Sequence, residues 1–106
     1  LFENDGPYYV LKKWMDEHAN SFGFFLAYTK DSSRKGFQYE PWHYSYAPKS
    51  REFIEQYKTI DLKKILKDNS ISGKEYFTDQ FIEQYLNDYI LGISSALKKK
   101  DKTRQE

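Results

Sequence analysis

Residues 37–46 read Phe-Gln-Tyr-Glu-Pro-Trp-His-Tyr-Ser-Tyr, a dense aromatic segment in a chain of 106 residues. Aromatic side chains are enriched in β-strands, so the segment predicts a strand. Pro41 interrupts it. Because proline has no N–H to donate to a central ladder, we expect an edge, a bulge or a bend at Pro41.

A second strand is predicted upstream. Residues 24–28 read Phe-Phe-Leu-Ala-Tyr and follow Gly23, and a short apolar run with such a boundary is typical of a buried strand. Residues 29–36 are polar and predict a loop. Two strands joined by one loop predict an antiparallel hairpin.

A helix is predicted before the hairpin. Pro7 suits a first helical position, and Gly23 suits a left-handed helix terminator. Apolar and neutral residues recur at the spacing of one helical face, which we expect to pack on the sheet; they are Leu11, Trp14, Met15, His18, Ala19 and Phe22. The opposite, polar face is predicted to consist of Lys12, Lys13, Asp16 and Glu17.

The pattern after Pro48 is helical. Three residues are candidate N-caps of successive helices, Ser50, Asp61 and Thr78. Residues 69–73 predict a break, and Gly92 is expected to end the last helix. The pentapeptide Phe-Ile-Glu-Gln-Tyr occurs at 53–57 and again at 81–85. Two copies are too few for a repeat protein, so we interpret them as a coincidence of amphipathic composition.

These elements predict an α+β fold: a small antiparallel sheet packed by a helix, with a helical C-terminal extension. We divide the chain into residues 1–47, which hold the sheet and its helix, residues 48–97, a helical extension packed on them, and residues 98–106, a basic flexible tail. Five basic and two acidic groups lie in the tail, which leaves 12 basic and 14 acidic groups elsewhere. A slightly acidic body argues against nucleic acid as a partner.

Composition excludes further classes. The chain has no cysteine, so it has neither disulfides nor thiolate metal sites. No apolar run approaches the length of ~18 residues needed for a membrane span. Aromatic residues make up 19% of the chain, a large supply of amphipathic groups for a core or a binding cleft.

Glu40 and His43 are the strongest candidates for chemistry. In a regular strand, two residues three apart face opposite sides, but a bend at Pro41 could bring them onto one site. In a pocket of low polarity, a glutamate is an effective general base and a neutral histidine is a good zinc ligand. The alternative is a surface glutamate beside a histidine buried among aromatic residues.

The wider pattern resembles the C-terminal motif of the zinc D-alanyl-D-alanine carboxypeptidases of the VanY type and their LD-carboxypeptidase and endopeptidase relatives. In that family, Glu-Pro-Trp-His-Tyr follows a tryptophan-containing helix, a Gly-Phe turn and a short strand. Here the order is Trp14, Gly23-Phe24 and then residues 40–44. The resemblance covers residues 7–47 and thus only the C-terminal portion of such a domain.

The resemblance implies a role for each residue of the motif. Glu40 matches the catalytic base, which takes a proton from the metal-bound water, and His43 matches the last of three zinc ligands. Trp42 and Tyr44 would line the substrate pocket or, where one of them faces the helix, join the core. The implied protein is a bacterial hydrolase that uses zinc, cleaves D-alanine-containing peptidoglycan stem peptides of the cell wall, and is exported to the periplasm or cell envelope.

The sequence departs from the family at the other two zinc ligands. They come from an upstream Ser-x-His-x-x-Gly-x-x-x-Asp motif that is absent here, and His18 is followed seven residues later by Phe25 rather than aspartate. We therefore expect His18 to be a structural helix residue. Because the chain begins with Leu1, we expect an upstream part of the same protein to complete the metal site. The alternative function is a non-catalytic module that binds peptidoglycan or a protein.

Overall fold

The computed structural model describes residues 1–68 and 70–98. Its helices and strands are α1 (Tyr9–His18), β1 (Phe24–Leu26), β2 (Tyr44–Tyr46), α2 (Ala47–Tyr57), α3 (Leu62–Leu66) and α4 (Asp79–Tyr85). Single 3-10 turns cover Ala19–Phe22, Lys74–Tyr76 and Ser95–Leu97, and a π-helical turn covers Leu86–Ile90. The predicted α+β class is confirmed.

The two strands form an antiparallel pair in which Phe24 lies opposite Tyr46 and Leu26 opposite Tyr44. The predicted strand over residues 37–46 is wrong in length, since only its last three residues are in β2. The cause is the bend at Pro41, where the chain turns before it can run along β1. The antiparallel hairpin itself is confirmed.

Helix α1 begins at Tyr9, two residues later than Pro7 predicted, and its last turn tightens to a 3-10 turn. Gly23 ends this helical run in the left-handed conformation, with φ of 90°, as predicted. A side chain there would be strained, and its Cβ would also come within 2.9 Å of the Tyr46 ring.

The prediction for the faces of α1 is wrong in part. Ala19 of the predicted packing face is buried and Lys13 of the predicted polar face is exposed, as expected, but other residues are not. Lys12 is only 7% exposed, whereas Leu11 and Trp14 of the predicted packing face are 57% and 48% exposed. Lys12 Nζ donates to the Tyr44 hydroxyl at 2.8 Å and pairs with Asp16 Oδ1 at 2.8 Å. Burial of the ammonium is possible because both contacts satisfy its charge and its donors.

The contacts of Lys12 predict a pH-dependent stability. Burial by itself would lower the pKa of Lys12, but the hydrogen bonds to Asp16 and Tyr44 and the nearby Tyr39 outweigh it, so the pKa lies above its ordinary value of 10.5. A raised pKa means that the stabilisation is complete below pH 10.5 and is lost as the pH rises through the folded-state pKa. Thermal unfolding measured from pH 8 to pH 12 should reveal this alkaline loss.

Lys12→Met should flatten that alkaline loss, since methionine keeps the stem but has no charge. Lys13→Met is the matched control, because Lys13 is the adjacent lysine and is exposed. An equal change in both variants would contradict the role of Lys12.

The structure confirms two of the three predicted N-caps of the C-terminal helices. Asp61 accepts from the Lys64 amide at 3.1 Å and Thr78 from the Phe81 amide at 3.1 Å, as predicted. Ser50 is not a cap, because α2 already begins at Ala47 with Pro48 in its first turn. The helical run that begins with α4 ends at Ile90, two residues before Gly92.

The C-terminal residues return to the hairpin. Leu97 is 1% exposed and forms the buried cluster with Ala27 and Ala47. The Ser94 amide donates to the Ala27 carbonyl at 2.9 Å, and Ser50 Oγ donates to the Leu97 carbonyl at 3.1 Å. The Ser94 contact and the buried cluster attach the extension to the hairpin, whereas the Ser50 contact joins two parts of the extension. The division at residue 47 stays a prediction. The predicted tail lies outside the described residues, apart from Lys98.

Within the described ranges 1–68 and 70–98, no helix has the length and apolar character that crossing a membrane requires.

Candidate functional site

The candidate site is a turn between the polar loop and β2. The Glu40 carbonyl accepts from the His43 amide at 3.2 Å, which closes a four-residue turn with Pro41 at its second position. Proline favours that position because its φ is already fixed near −65°. The Glu40 amide donates to the Tyr28 carbonyl at 3.1 Å, so the turn is attached to the end of β1.

The turn brings the two candidate side chains together. Glu40 Oε1 lies 3.1 Å from His43 Nδ1. The His43 ring meets the Tyr28 ring edge-on, with 5.2 Å between centroids. The side chain of Glu40 is 30% exposed and that of His43 is 43% exposed. Both groups are therefore reachable from solvent yet held in place on one side by protein.

The contact with Glu40 favours one tautomer of the His43 imidazole. A carboxylate accepts from N–H, so Glu40 favours a proton on Nδ1 and leaves Nε2 to meet a metal ion or a water molecule. Glu40 has a second carboxylate oxygen, Oε2, which this contact does not use. The pair thus offers one metal-ligating nitrogen and one proton-accepting oxygen side by side.

The described residues do not form a complete zinc site. Zinc in catalytic sites has three protein ligands. In the described part of the chain, no three His, Cys, Asp or Glu side chains cluster closely enough to hold a metal ion. His18 lies at the end of α1, where its ring packs 5.1 Å from that of Trp14.

Trp42 and Tyr44 lie in different surroundings. The Tyr44 hydroxyl contacts Lys12 of α1, so this side chain belongs to the contact between helix and strand. Trp42 is 60% exposed, and its ring lies 6.2 Å from that of Phe2. Trp42 also lines a cavity of about 880 Å³ that includes Lys12 and Lys30. Trp42 and Tyr44 also line a second cavity, of about 330 Å³, so a ligand could reach either side chain.

The sequence analysis missed two residues that shape this region. Lys12 was assigned to the solvent face, and no sequence signal distinguishes it from Lys13. Arg34 was included in a polar loop, but its guanidinium donates to the carbonyls of Thr29 at 2.7 Å, Phe37 at 2.7 Å and Gly92 at 3.0 Å. It thereby holds the loop that precedes the Glu40 turn against the C-terminal extension.

Comparisons with known proteins find a family match for the segment that contains the Glu40 turn. Residues 2–49 match the VanY family model of D-alanyl-D-alanine carboxypeptidases. The resemblance to this family is therefore confirmed over a segment that includes both Glu40 and His43.

Two curated relatives are similar over more of the chain. A D-alanyl-D-alanine carboxypeptidase of Enterococcus faecium is 34% identical over 73 residues, which cover 60% of this chain and 24% of the relative. Carboxypeptidase YodJ of Bacillus subtilis (strain 168) is 30% identical over 66 residues, or 61% of this chain and 20% of the relative. The chain thus spans about a quarter or less of the relatives it matches. No solved structure matches.

Proposed function

We propose that this chain is part of a D-alanyl-D-alanine carboxypeptidase-like hydrolase that acts on D-alanine-containing peptides of peptidoglycan in the bacterial cell wall. The observation that carries the proposal is the 3.1 Å contact between Glu40 and His43 inside the family-matched segment. A carboxylate that can accept a proton and an imidazole that can bind a metal ion, both open to solvent, are two of the groups that a zinc-dependent amide hydrolysis uses.

Each residue has a distinct part in the proposed reaction. Glu40 takes a proton from the attacking water on its free oxygen and later transfers it to the leaving amine. His43 is held by Glu40 through Nδ1 and presents Nε2 as one zinc ligand. Zinc supplies Lewis-acid activation when bound. Because the described residues lack a three-ligand group, the remaining ligands must come from elsewhere in the protein.

The exposed face of α1 supports a proposal for where the rest of the protein packs. Leu11, Trp14 and Phe22 are 57%, 48% and 64% exposed. Among the described residues, three of the five buried apolar side chains are alanines, so the core is thin. We propose that an upstream part of the same protein covers this face and brings the missing zinc ligands to His43.

The double substitution Leu11→Gln and Trp14→Gln should destabilise a longer protein that includes the upstream part more than it destabilises the 106-residue chain. We expect a loss of about 2–4 kcal/mol in the free energy of unfolding of a longer protein, because each side chain loses apolar contact there. The 106-residue chain should change little. Val10→Gln is the control, since Val10 is already 79% exposed. Urea unfolding compares the wild type, the double variant and Val10→Gln in both the long and the 106-residue forms, and equal losses of the double variant in the two forms would contradict the proposed covering.

The second candidate function is a binding module without turnover. The observation in its favour is that the described residues supply only one imidazole and one carboxylate at the turn. Both functions place the protein in the cell envelope, where stem peptides occur, and we propose export for this reason.

Zinc content and hydrolysis together test the proposal. The protein should be expressed from its upstream start and also as the 106-residue chain. We expect about one zinc per chain and release of D-alanine from a peptide ending in D-Ala-D-Ala only for the long form. Release of an internal fragment instead would indicate an endopeptidase. Absence of both zinc and hydrolysis in the long form would favour the binding module.

A further inference from the structure

A row of aromatic side chains runs along one surface of the C-terminal extension toward the Glu40–His43 pair. This aromatic row consists of Phe77, Phe81, Tyr85, Tyr89 and Phe37. Successive ring centroids are 5.9, 6.2, 5.4 and 5.3 Å apart.

Two further contacts connect the row to the candidate site. The Phe37 ring lies 5.4 Å from that of Tyr28, and the Tyr28 ring lies 5.2 Å from that of His43. The row therefore extends without a gap from the start of α4 to the imidazole that the proposed function uses. A polymer bound along it would have a fixed position relative to Glu40 and His43.

The row is the outward face of α4 and of the turn after it. Its members between residues 77 and 89 follow one another at intervals of four positions, which is the spacing of one helix face. Phe81, Tyr85 and Tyr89 are 45%, 41% and 40% exposed. Ile82 on the other face is 1% exposed and supplies the packing of the helix. Contacts between rings on a helix surface add only ~0.2–0.5 kcal/mol per pair, which is a small reason to expose so much aromatic surface.

The charges beside the row are neutralised within the protein. Asp79 and Glu83 of α4 pair with Lys67 and Lys63 respectively, the second pair at 2.8 Å. The surface therefore offers flat apolar rings and tyrosine hydroxyls without an excess of either charge. A polymer of sugar rings, which have apolar C–H faces and polar edges, fits such a surface, whereas nucleic acid would need a basic groove.

We propose that the aromatic row binds the glycan strand of peptidoglycan and holds it so that attached stem peptides reach Glu40. This inference rests on the proposed function, because that function names peptidoglycan as the substrate. The sugar rings would lie against the aromatic rings through their C–H faces, with hydroxyl and acetamido groups turned to the tyrosine hydroxyls and to water. The contact is non-covalent, and it adds a docking surface remote from the reacting amide.

The test uses glycan that carries no stem peptides. Purified sacculi are treated with protease and with an amidase that removes the stem peptides. Retention of the 106-residue chain on this stripped glycan is then measured. A titration of the chain with an N-acetylglucosamine hexamer provides a second measurement. We expect wild-type retention on the stripped glycan. Tyr85→Leu keeps apolar volume but removes the flat ring, and it should weaken binding about five-fold. Tyr85→Phe should retain most of it.

The repeated pentapeptide provides the matched control. Phe53 and Tyr57 of α2 occupy the same positions of the pentapeptide as Phe81 and Tyr85. Phe53 is 61% exposed, but neither Phe53 nor Tyr57 belongs to the aromatic row among the described residues. Phe53→Leu should therefore bind as the wild type does, while Phe81→Leu should bind less. Circular dichroism checks that each variant is folded.

Three results would overturn the inference: no retention on stripped glycan, equal losses for Phe53→Leu and Phe81→Leu, or retention only when stem peptides or proteins remain. These results are independent of catalysis. A long form that releases D-alanine but ignores stripped glycan would keep the proposed function and remove the glycan site. Glycan binding by a long form that does not hydrolyse the peptide would keep the glycan site and remove the proposed function.

Discussion

Replacing Glu40 with glutamine in the long form of the protein is expected to lower the rate of D-alanine release by about 10²–10⁴-fold, the usual contribution of a general base. Glutamine has the shape of glutamate, and its oxygen still accepts from His43 Nδ1, but it cannot take a proton from water. Zinc content should therefore stay near that of the wild type. Steady-state kinetics and elemental analysis on the same preparation measure both quantities.

Further substitutions at the same turn separate base from ligand. His43→Ala should lose both zinc and hydrolysis, because it removes the nitrogen proposed as a ligand. Glu40→Ala should lose hydrolysis and keep zinc. Any weakening of zinc affinity relative to Glu40→Gln measures how far Glu40 orients His43, because such supporting contacts change metal affinity by about 10–100-fold. Glu55→Gln is the control, since Glu55 lies in α2 and pairs at 3.1 Å with Lys58, just after the end of that helix. Full activity of Glu40→Gln would rule out the proposed mechanism.

Arg34→Met is expected to lower the free energy of unfolding by about 2–4 kcal/mol, because four backbone carbonyls lose a charged donor at once. They belong to Thr29, Lys35, Phe37 and Gly92, so the substitution loosens the loop before the Glu40 turn and the extension together. Glycine is needed at the same contact, since a Cβ on Gly92 would clash with the Asp88 carbonyl. Urea unfolding measures the loss.

Arg51→Met is the matched control, because Arg51 donates to one carbonyl, that of Ala96 at 2.9 Å. We expect a loss of about 1 kcal/mol there. Hydrogen exchange at the Ser94 amide, which bonds to Ala27 of the hairpin, should accelerate strongly only in Arg34→Met. If the two arginine variants lost equal stability, Arg34 would not be the residue that joins the loop to the extension.

Part of the site could be predicted from the sequence because its causes are local. The turn at Pro41 depends on a hydrogen bond between residues 40 and 43 and on the fixed φ of proline, and it explains why the two candidate side chains meet. The rest of the proposed metal site could not be predicted in this way, since the described residues contain no group of three metal-binding side chains.

Features whose partners lie within four residues follow from the local sequence: the helix end at Gly23, the caps at Asp61 and Thr78, and the turn that joins Glu40 to His43. Long-range contacts in the folded chain set which face of α1 is buried and where the C-terminal extension lies. The buried position of Lys12 depends on Tyr44, 32 residues away, and the role of Arg34 depends on Gly92, 58 residues away. Periodicity reports that a helix has two faces, but it contains no information about which face a distant hydroxyl or carbonyl will meet.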